Sequence, residues 1–389
     1  MKRIAVVGAS GFVGNAVVDR MVGLPDCSIV PLIRSSGNAW RLAKKGIEPI
    51  VVDLLSPPAV KAALAGCTHV INCSRGDEKV MRAGLRNLLE AAAAVSVEGF
   101  VHLSSVSVYG DPPAAASQSE DAVPPPLEKF SYGQTKLEQD TMIQKAARKG
   151  LPSTILCPPN ISGPYSPYLN GLVDSLRAGQ FALMDDASGP CNLVDVDNLV
   201  AAIALALDHG VTDPKRIFVT DAEATTWRDV IDGLMPLTGR TGGVPTITRD
   251  ALRAAQSGPP ATARSLFRSL KHLVSSDVRA ALRKDPLWAS ADGLIRKSAA
   301  ALGPGMEDRL RLSIEGPLPV HRTPSAGVLN LRLSAQQLRN VRHSSARAVA
   351  ELGYRPIYTF AESMEAYRNW YRTMHRMNGP EWNILKGLY

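Results

Sequence analysis

Short apolar runs alternate with longer segments of helical periodicity along the first half of the chain. Six runs rich in β-branched residues predict strands, at residues 4–7, 29–33, 49–52, 70–72, 100–103 and 154–156. Longer segments between them predict helices, at residues 15–22, 80–94 and 133–149. Strands that alternate with helices form βαβ units, so we expect an α/β fold with a doubly wound parallel sheet.

This alternation of strands and helices ends after one more predicted strand, at residues 217–220. From about 240 to 330 the hydrophobic pattern is mostly helical. We therefore expect a parallel-sheet domain followed by a mostly helical lobe. The predicted division is a sheet domain at 1–230 with a small excursion into the lobe at about 163–190, and a lobe at 231–389 that contains a basic insertion at 251–311 and a C-terminal segment at 340–389.

The loop from Gly110 to Glu128 is rich in Pro, Ala and Ser, and it contains three consecutive prolines, Pro124 to Pro126. It is longer than most connections between a strand and a helix. Loops of this length are often functional, so we expect a flap over a binding site.

Composition and charge exclude several classes of protein. Hydrophobic residues make up 45% and charged residues 21%, which are globular proportions and exclude a disordered or collagen-like chain. No apolar stretch reaches the 18 residues of a membrane span. The five cysteines are odd in number and widely spaced, and the seven histidines lack the spacing of metal ligands. We expect a cytoplasmic protein without a metal site, and no nucleic-acid partner.

The predicted insertion at 251–311 holds much of the positive charge. It has eleven Lys and Arg residues against five Asp and Glu residues, a balance of +6 within a chain total of +8. One interpretation is a solvated basic face on a lobe helix. The other is a clamp for an anionic or lipid-linked substrate, with weak contact to a membrane surface, through residues such as Arg264, Arg268 and Lys271.

Three glycines, Gly8, Gly11 and Gly14, follow the first predicted strand and open the first predicted helix. Such glycines allow a tight turn, a close approach of the backbone to a pyrophosphate, and close helix–strand packing. The helix N-terminus adds N–H groups and a partial positive charge. The turn predicts a dinucleotide site in a Rossmann-type sheet. The expected cofactor contacts in this turn are Gly8, Ser10, Gly11, Phe12, Val13 and Gly14.

The end of the second strand faces the adenosine ribose in such folds, and an acid there binds the 2′-hydroxyl of NAD. This chain has Arg34 and Ser35 instead, which suit a 2′-phosphate. We therefore expect NADP, with NAD as the alternative. Asp53 and Leu54 end the third strand and are expected near the adenine, although a cap for the next segment is the other interpretation of Asp53.

Tyr132 and Lys136 are four residues apart and share one face of a predicted helix. A phenol titrates near pH 10, and a nearby ammonium lowers that pKa, so this pair can donate and accept a proton. The strand upstream ends in the hydroxyls of Ser104 and Ser105. Such a hydroxyl can hydrogen-bond a substrate carbonyl while Tyr132 delivers the proton.

Together these motifs resemble the short-chain dehydrogenase/reductase superfamily, in its extended branch of nucleotide-sugar epimerases and 3β-hydroxysteroid-dehydrogenase-like reductases. The resemblance covers about 1–230 and 340–372. The similar segments are Gly8-x-x-Gly11-x-x-Gly14, Ser104 to Gly110, Tyr132-x-x-x-Lys136, Cys157-Pro158-Pro159-Asn160, Val194 to Leu199, and Leu352-Gly353-Tyr354-Arg355-Pro356.

The resemblance implies a role for each catalytic residue. Ser105 would bind the carbonyl, Tyr132 would be the acid/base, and Lys136 would hold the ribose and lower the pKa of the tyrosine. Tyr132 and Lys136 are thereby also cofactor contacts. Further implied cofactor contacts, after the fourth and sixth strands, are Asn72, Cys73, Ser74, Pro158 and Asn160.

Two positions depart from the family pattern. Met81 stands where the family often has an Asn, three residues before Gly84, which puts a proton relay through that Asn in doubt. Val106 and Ser107 follow Ser105, where 4,6-dehydratases have an Asp-Glu pair, so sugar dehydration is not expected.

The resemblance implies NAD(P)-dependent hydride transfer between the cofactor and a secondary alcohol or ketone. One alternative is a nucleotide-sugar epimerase, in which the hydride leaves and returns on a retained cofactor. A second is a non-catalytic dinucleotide-binding sensor or assembly protein. The expected partners are a small molecule, anionic or nucleotide-linked, and a second copy in a homodimer.

Overall fold

The computed structural model describes residues 1–36, 39–257 and 329–376. The strands are β1 Lys2–Val7, β2 Cys27–Ile33, β3 Ile50–Val51, β4 His69–Asn72, β5 Gly99–Leu103, β6 Ser153–Cys157, β7 Asn160–Ser162, β8 Leu183–Met184, β9 Leu193–Asp195, β10 Arg216–Phe218 and β11 Thr246–Ile247. The helices are α1 Phe12–Met21, α2 Trp40–Ala43, α3 Pro57–Ala63, α4 Leu85–Ala94, α5 Tyr132–Ala147, α6 Pro167–Arg177, α7 Val196–Ala206, α8 Trp227–Leu234, α9 Arg249–Ser257, α10 Leu331–Ser334, α11 Ala346–Leu352 and α12 Phe360–Arg376.

The main sheet is parallel, with its strands in the order β10-β6-β5-β4-β1-β2-β3. Strand β1 lies at the switch point, because its residue Ala5 pairs with Val30 of β2 on one side and with Val70 of β4 on the other. The predicted doubly wound parallel sheet is confirmed. A ligand cleft is expected at the carboxyl end of β1, where the chain connections turn to opposite sides.

Both faces of this sheet are buried, which explains why its strands are continuous apolar runs. Alternate residues of β1 enter two different cores. Ile4 and Val6 pack in a core with residues of α1, α7 and α11, whereas Ala5 and Val7 pack in a core with residues of α3, α4 and α5.

A third core lies around α6, α8 and α12, with Leu172, Trp227 and Tyr367 among its buried side chains. It therefore combines the predicted excursion at 163–190 with the C-terminal segment. Residue 230, the predicted boundary of the sheet domain, lies inside α8. The division into two domains stays a prediction.

The predicted helix at 80–94 begins with one π-helical turn, Val80–Gly84, before α4. Most of the predicted insertion at 251–311 lies outside the described residues, as do Arg264, Arg268 and Lys271. Among the helices that the structure describes, none has the length and apolar character needed to cross a membrane.

Candidate functional site

A cleft of about 1130 Å³ opens at the carboxyl ends of the central strands. It brings together most of the predicted site residues. Those that line it are Gly8, Ser10, Gly11, Phe12, Val13, Arg34, Ser35, Asp53, Leu54, Cys73, Ser74, Ser105, Tyr132, Lys136, Pro158 and Asn160. Gly14 and Asn72 do not line the cleft, and both lie behind its wall.

The glycine turn after β1 has the shape of a phosphate cradle. A Cβ at Gly14 would lie 2.2 Å from the carbonyl oxygen of Gly8, so only glycine lets α1 pack this closely against the turn. Helix α1 begins at Phe12, and its N-cap residue Gly11 offers no side-chain cap. The first N–H groups of the helix are therefore left for a ligand, and the residues present fit the pyrophosphate of a dinucleotide.

The end of the cleft where the adenosine of the cofactor is expected lies at the ends of β2 and β3. Arg34 is exposed there, and it makes no ion pair with any described residue. Asp53 accepts a hydrogen bond from the Leu55 N–H at 2.9 Å, so one of its oxygens caps the following turn as the alternative interpretation predicted. Its side chain still borders the cleft.

Asn72 holds the loop after β4, which includes Ser74, from behind the cleft wall. Its Oδ1 accepts hydrogen bonds from the Ser74 N–H at 3.1 Å and the Ser74 hydroxyl at 2.6 Å. Its Nδ2 lies 3.1 Å from Nδ1 of the fully buried His102. Burial lowers the pKa of His102 well below its ordinary value, so the neutral ring can accept from Asn72 at Nδ1. Burial also raises the pKa of the Cys73 thiol to about 12, so this thiol is neutral.

Helix α5 presents the tyrosine and the lysine at its first two turns. The Ser131 hydroxyl accepts from the Gln134 N–H at 3.2 Å and so fixes the start of the helix at Tyr132. A Cβ at Gly133 would lie 2.3 Å from the Ser107 carbonyl oxygen, so glycine allows α5 to approach the turn that carries Ser105. This close packing brings Tyr132 and Ser105 into one site.

Lys136 is almost fully buried, and its Nζ donates to the Leu103 carbonyl oxygen at 2.7 Å. The distance from Nζ to the centre of the Tyr132 ring is 6.0 Å. Burial lowers the pKa of Lys136 to about 8, against the opposing charge of Asp140 one turn along. Below that pH the side chain is an ammonium held at the end of β5.

Tyr132 is 39% exposed, and its hydroxyl stays protonated at neutral pH. Burial raises its pKa above the ordinary value, while the positive charge of Arg75 and a hydrogen bond with Ser105 act in the opposite direction. The guanidinium carbon of Arg75 lies 4.9 Å from the centre of the tyrosine ring. The sequence interpretation missed Arg75, whose only signal was its position directly after Asn72-Cys73-Ser74.

The sequence profile of the NAD dependent epimerase/dehydratase family matches residues 4–219, more than half of the chain. This protein belongs to that family. The predicted superfamily is thereby confirmed, and the protein is an NAD(P)-dependent enzyme.

Two curated relatives and one solved structure illustrate the range of the family. The chain is 25% identical over 264 residues, 65% of its length and 78% of the relative's, to the 4-hydroxy-2-methyl-3-oxo-4-farnesyl-3,4-dihydroquinoline-1-oxide ketoreductase of Stigmatella aurantiaca. It is 24% identical over 245 residues, 59% and 74% of the two chains, to the decarboxylating sterol-4-alpha-carboxylate 3-dehydrogenase of Dictyostelium discoideum. The UDP-glucuronic acid 4-epimerase of Bacillus cereus, solved in complex with NAD, shares the fold at a TM-score of 0.62 and 16% identity, over 96% of this chain and 99% of that one.

This epimerase/dehydratase-family enzyme completes its cleft with a wall that sequence reasoning did not find. The cleft is also lined by Gln336, Arg339 and His343, which we call the C-terminal wall. They follow the sheet domain by more than a hundred residues, and no spacing or motif connects them to the cofactor turn. Only the folded chain brings the two walls together.

The predicted flap, the loop at 110–128, borders the cleft at both its ends. The C-terminal wall and the neighbouring Ser344 hold the loop at three of its residues. The Arg339 guanidinium donates from Nε to Asp111 at 2.7 Å, the His343 ring lies 2.8 Å from the Ser117 carbonyl oxygen, and the Ser344 N–H donates to Gln118. The loop is therefore bound to the C-terminal wall of the cleft by hydrogen bonds and an ion pair.

Met81, at the position where this family often has an Asn, is buried in the π-helical turn. Its carbonyl oxygen accepts from the Gln139 side chain at 2.5 Å. A thioether carries no exchangeable proton, so Met81 provides no proton relay at this position. Within the described residues, no group of three His, Cys, Asp or Glu side chains could hold a metal ion.

Proposed function

We propose that this enzyme interconverts a ketone and a secondary alcohol by net hydride transfer with NADP(H), with Tyr132 as proton donor and acceptor. The observation that carries the proposal is the grouping of Tyr132, Ser105 and Lys136 beside the phosphate turn, in one cleft at the carboxyl edge of the sheet. The bound cofactor supplies or accepts the hydride. A sensor protein has no need of this acid/base group.

The protein's own residues would orient the carbonyl and move its proton. The hydroxyls of Tyr132 and Ser105 can both donate to the carbonyl oxygen, which polarises it and fixes its position. Because the pKa of Tyr132 is raised, its hydroxyl carries the proton needed for ketone reduction at neutral pH. Lys136 has three donors, of which one is bonded to Leu103, so others can reach the cofactor ribose as the family resemblance implies.

The cofactor contacts of this proposal are those predicted in the glycine turn, at Arg34 and Ser35, at Asp53 and Leu54, and at Cys73, Ser74, Pro158 and Asn160, with Asn72 and Gly14 acting from behind the wall. Arg34, which has no ion-pair partner within the described part of the chain, supports NADP over NAD. The five free cysteines support the proposed cytoplasmic location. A homodimer remains a prediction.

The two curated relatives favour a net redox reaction over epimerisation, because they are named as a ketoreductase and a dehydrogenase. Their sequence identity to this chain is also higher than that of the epimerase structure. The name of the second relative places a carboxylate on carbon 4 of the sterol, next to carbon 3, which is oxidised. A nucleotide-sugar epimerase is the second candidate, since the epimerase structure covers nearly the whole of this chain. It would retain its cofactor through turnover, whereas a reductase would consume NADPH.

The test is Tyr132→Phe, which removes the hydroxyl and keeps the ring. We expect NADPH oxidation on a panel of ketones to fall by about 10²-fold or more, the usual contribution of a general acid, with little change in NADPH affinity. Lys136→Ala should lower both the rate of NADPH oxidation and the affinity for NADPH. Tyr358→Phe, which removes a hydroxyl outside the cleft, is the matched control. Full activity in Tyr132→Phe would show that this mechanism is wrong.

A further inference from the structure

Helix α5 carries a buried carboxylate one turn beyond Lys136. Lys136 and Asp140 are four residues apart and share the inner face of the helix, and their exposed fractions are 4% and 0%. Residues at this spacing are neighbours on a helix surface, with Cβ atoms about 5–6 Å apart. The other acid of α5, Glu138, is partly exposed and forms an ion pair with Arg82 at 2.6 Å. Asp140 is therefore the acid of α5 that is placed to act on Lys136.

Arg216 holds the Asp140 carboxylate in a fixed position. Its Nε donates to Oδ2 of Asp140 at 2.5 Å. Arg216 is the first residue of β10, an edge strand of the main sheet, and its own carbonyl oxygen accepts from Arg347 of α11 at 3.0 Å. Burial raises the pKa of Asp140, and the positive charge of Arg216 opposes that rise. A buried carboxylate needs such a partner to stay ionised, so the ion pair makes Asp140 a fixed negative charge.

The groups around Lys136 leave Asp140 as its counter-charge. The titratable and charged side chains that face it are Tyr132 and Asp140 on α5, His102 on β5, Cys157 on β6, and Cys73 and Arg75 after β4. Burial keeps the two thiols and the His102 ring neutral near pH 7, since it raises the pKa of both cysteines and lowers that of the histidine. Tyr132 is protonated at that pH, and the positive charge of Arg75 disfavours an ammonium. Of these described groups, Asp140 alone carries a negative charge.

We propose that Asp140 is a positioning residue of this enzyme, whose carboxylate, held by Arg216, keeps Lys136 in its ammonium form. The ammonium has three donors, of which one is bonded to the Leu103 carbonyl oxygen and the others are left for the cofactor ribose. A neutral amine has one donor fewer and no charge to place beside Tyr132. Asp140 itself touches neither cofactor nor substrate in this scheme. The inference rests on the proposed hydride-transfer function, because that function gives Lys136 its role.

The counter-charge sets the pH range over which Lys136 is charged. Burial lowers the pKa of Lys136 to about 8, and the charge of Asp140 is the largest of the effects that oppose this lowering. An opposite charge at about 4–6 Å commonly shifts a pKa by about 1–3 units in favour of the charged form. Without the carboxylate, Lys136 should therefore lose its proton near or below pH 7.

The experiment titrates Lys136 directly, by NMR of cofactor-free enzyme that carries ¹³C at the lysine Cε, from about pH 6 to pH 10. The Lys136 signal is identified by its absence from Lys136→Met. We expect a midpoint near pH 8 in the wild type and a midpoint lower by about one unit or more in Asp140→Asn. Asp140→Glu keeps the charge and should titrate closer to the wild type. Glu138→Gln removes the other carboxylate of the same helix and should leave the midpoint unchanged.

A double variant separates the charge of Asp140 from its part in the fold. Asp140→Asn leaves Arg216 buried without its partner, whereas Asp140→Asn combined with Arg216→Gln removes both charges of the ion pair. We expect the Lys136 midpoint of the double variant to be lowered as well, because the counter-charge is still missing.

The affinity for NADPH should follow the charge on Lys136. We expect both Asp140→Asn enzymes to bind NADPH like the wild type at pH 6. At pH 7.5 they should bind it about threefold more weakly, which is the ratio of the ammonium fractions for pKa values of about 8 and 7. A purely structural role would lower the affinity equally at the two pH values.

An unchanged Lys136 midpoint in the single and double variants overturns the inference. So does an equal shift in Glu138→Gln, since any acid of the helix would then act alike. A loss of NADPH affinity that is the same at pH 6 and pH 7.5 also overturns it, because Asp140 would then serve only the fold. The NMR titration needs no turnover. A lowered midpoint in the Asp140 variants therefore supports the inference even where full activity of Tyr132→Phe refutes the proposed function.

Discussion

The arginines that line the cleft lie in different surroundings. Arg34 lies just after β2, Arg75 lies over the Tyr132 ring, and Arg339 forms an ion pair with Asp111 of the flap loop. The effect of each arginine depends on what its guanidinium faces. Arg34 is exposed, lines the cleft and makes no ion pair with any described residue, which makes it the residue to examine for cofactor choice.

Replacing Arg34 should change the cofactor preference. We expect Arg34→Ser to weaken NADPH binding by about 10- to 100-fold, since a charge-assisted contact to the 2′-phosphate is lost, with NADH affinity nearly unchanged. Calorimetric titration with both cofactors measures this, and Ser35→Ala serves as the neighbouring control. Equal affinity of the wild type for NADPH and NADH would remove the basis of this assignment.

Helix α7 joins three parts of the chain through one side chain. The Asn198 amide donates to Asp221 at 2.7 Å and to the Tyr358 carbonyl oxygen at 2.8 Å. Its oxygen accepts from the N–H groups of Ile357 and Tyr358. The family motif from Val194 to Leu199 thus connects the sheet domain to the segment that precedes α12.

Asn198→Ala should destabilise the protein. Because it leaves buried backbone and side-chain groups without partners, we expect the free energy of unfolding to fall by about 2–4 kcal/mol. Urea denaturation measures the change. Leu205→Ala, at an exposed position of the same helix, is the control and should cost much less. A loss below about 0.5 kcal/mol for Asn198→Ala would mean that these hydrogen bonds do not hold the segments together.

The free energy of unfolding of the whole molecule should depend on pH through two buried acids, Asp221 and Asp195. Burial raises the pKa of Asp221 to about 7, and it raises the pKa of Asp195 as well. Between pH 4 and 7 the folded chain therefore holds a proton on Asp221 that the unfolded chain releases. Since the folded state binds more protons in this window, stability falls as pH rises through it.

This dependence should be smaller in Asp221→Asn, which cannot ionise. We expect the urea midpoint of the wild type to decrease from pH 5 to pH 7.5 relative to that of the variant. The comparison of the two slopes removes contributions from other groups. Parallel slopes for the two proteins would show that Asp221 has an ordinary pKa in the fold.

The parts of the fold and site that the sequence predicts are those with a local pattern. Continuous apolar runs located the strands, and the spacing of Tyr132 and Lys136 placed both on one helical face. Local patterns carry no information on side-chain direction behind a wall, so Asn72 was expected in the cleft and instead supports its loop. Nor do they reveal contacts between distant segments, which is why Arg339 and His343 were missed. The π-helical turn at Val80–Gly84 was missed because periodicity does not fix the backbone hydrogen-bonding register.

The late position of the C-terminal wall in the sequence has a consequence during biosynthesis. Every strand of the main sheet, and with it the phosphate turn and Tyr132, has been synthesised once Phe218 is added. Arg339 and His343, which close the other side of the cleft, are translated more than a hundred residues later. On the ribosome, the predicted cofactor contacts are therefore complete well before the C-terminal residues that line the same cleft.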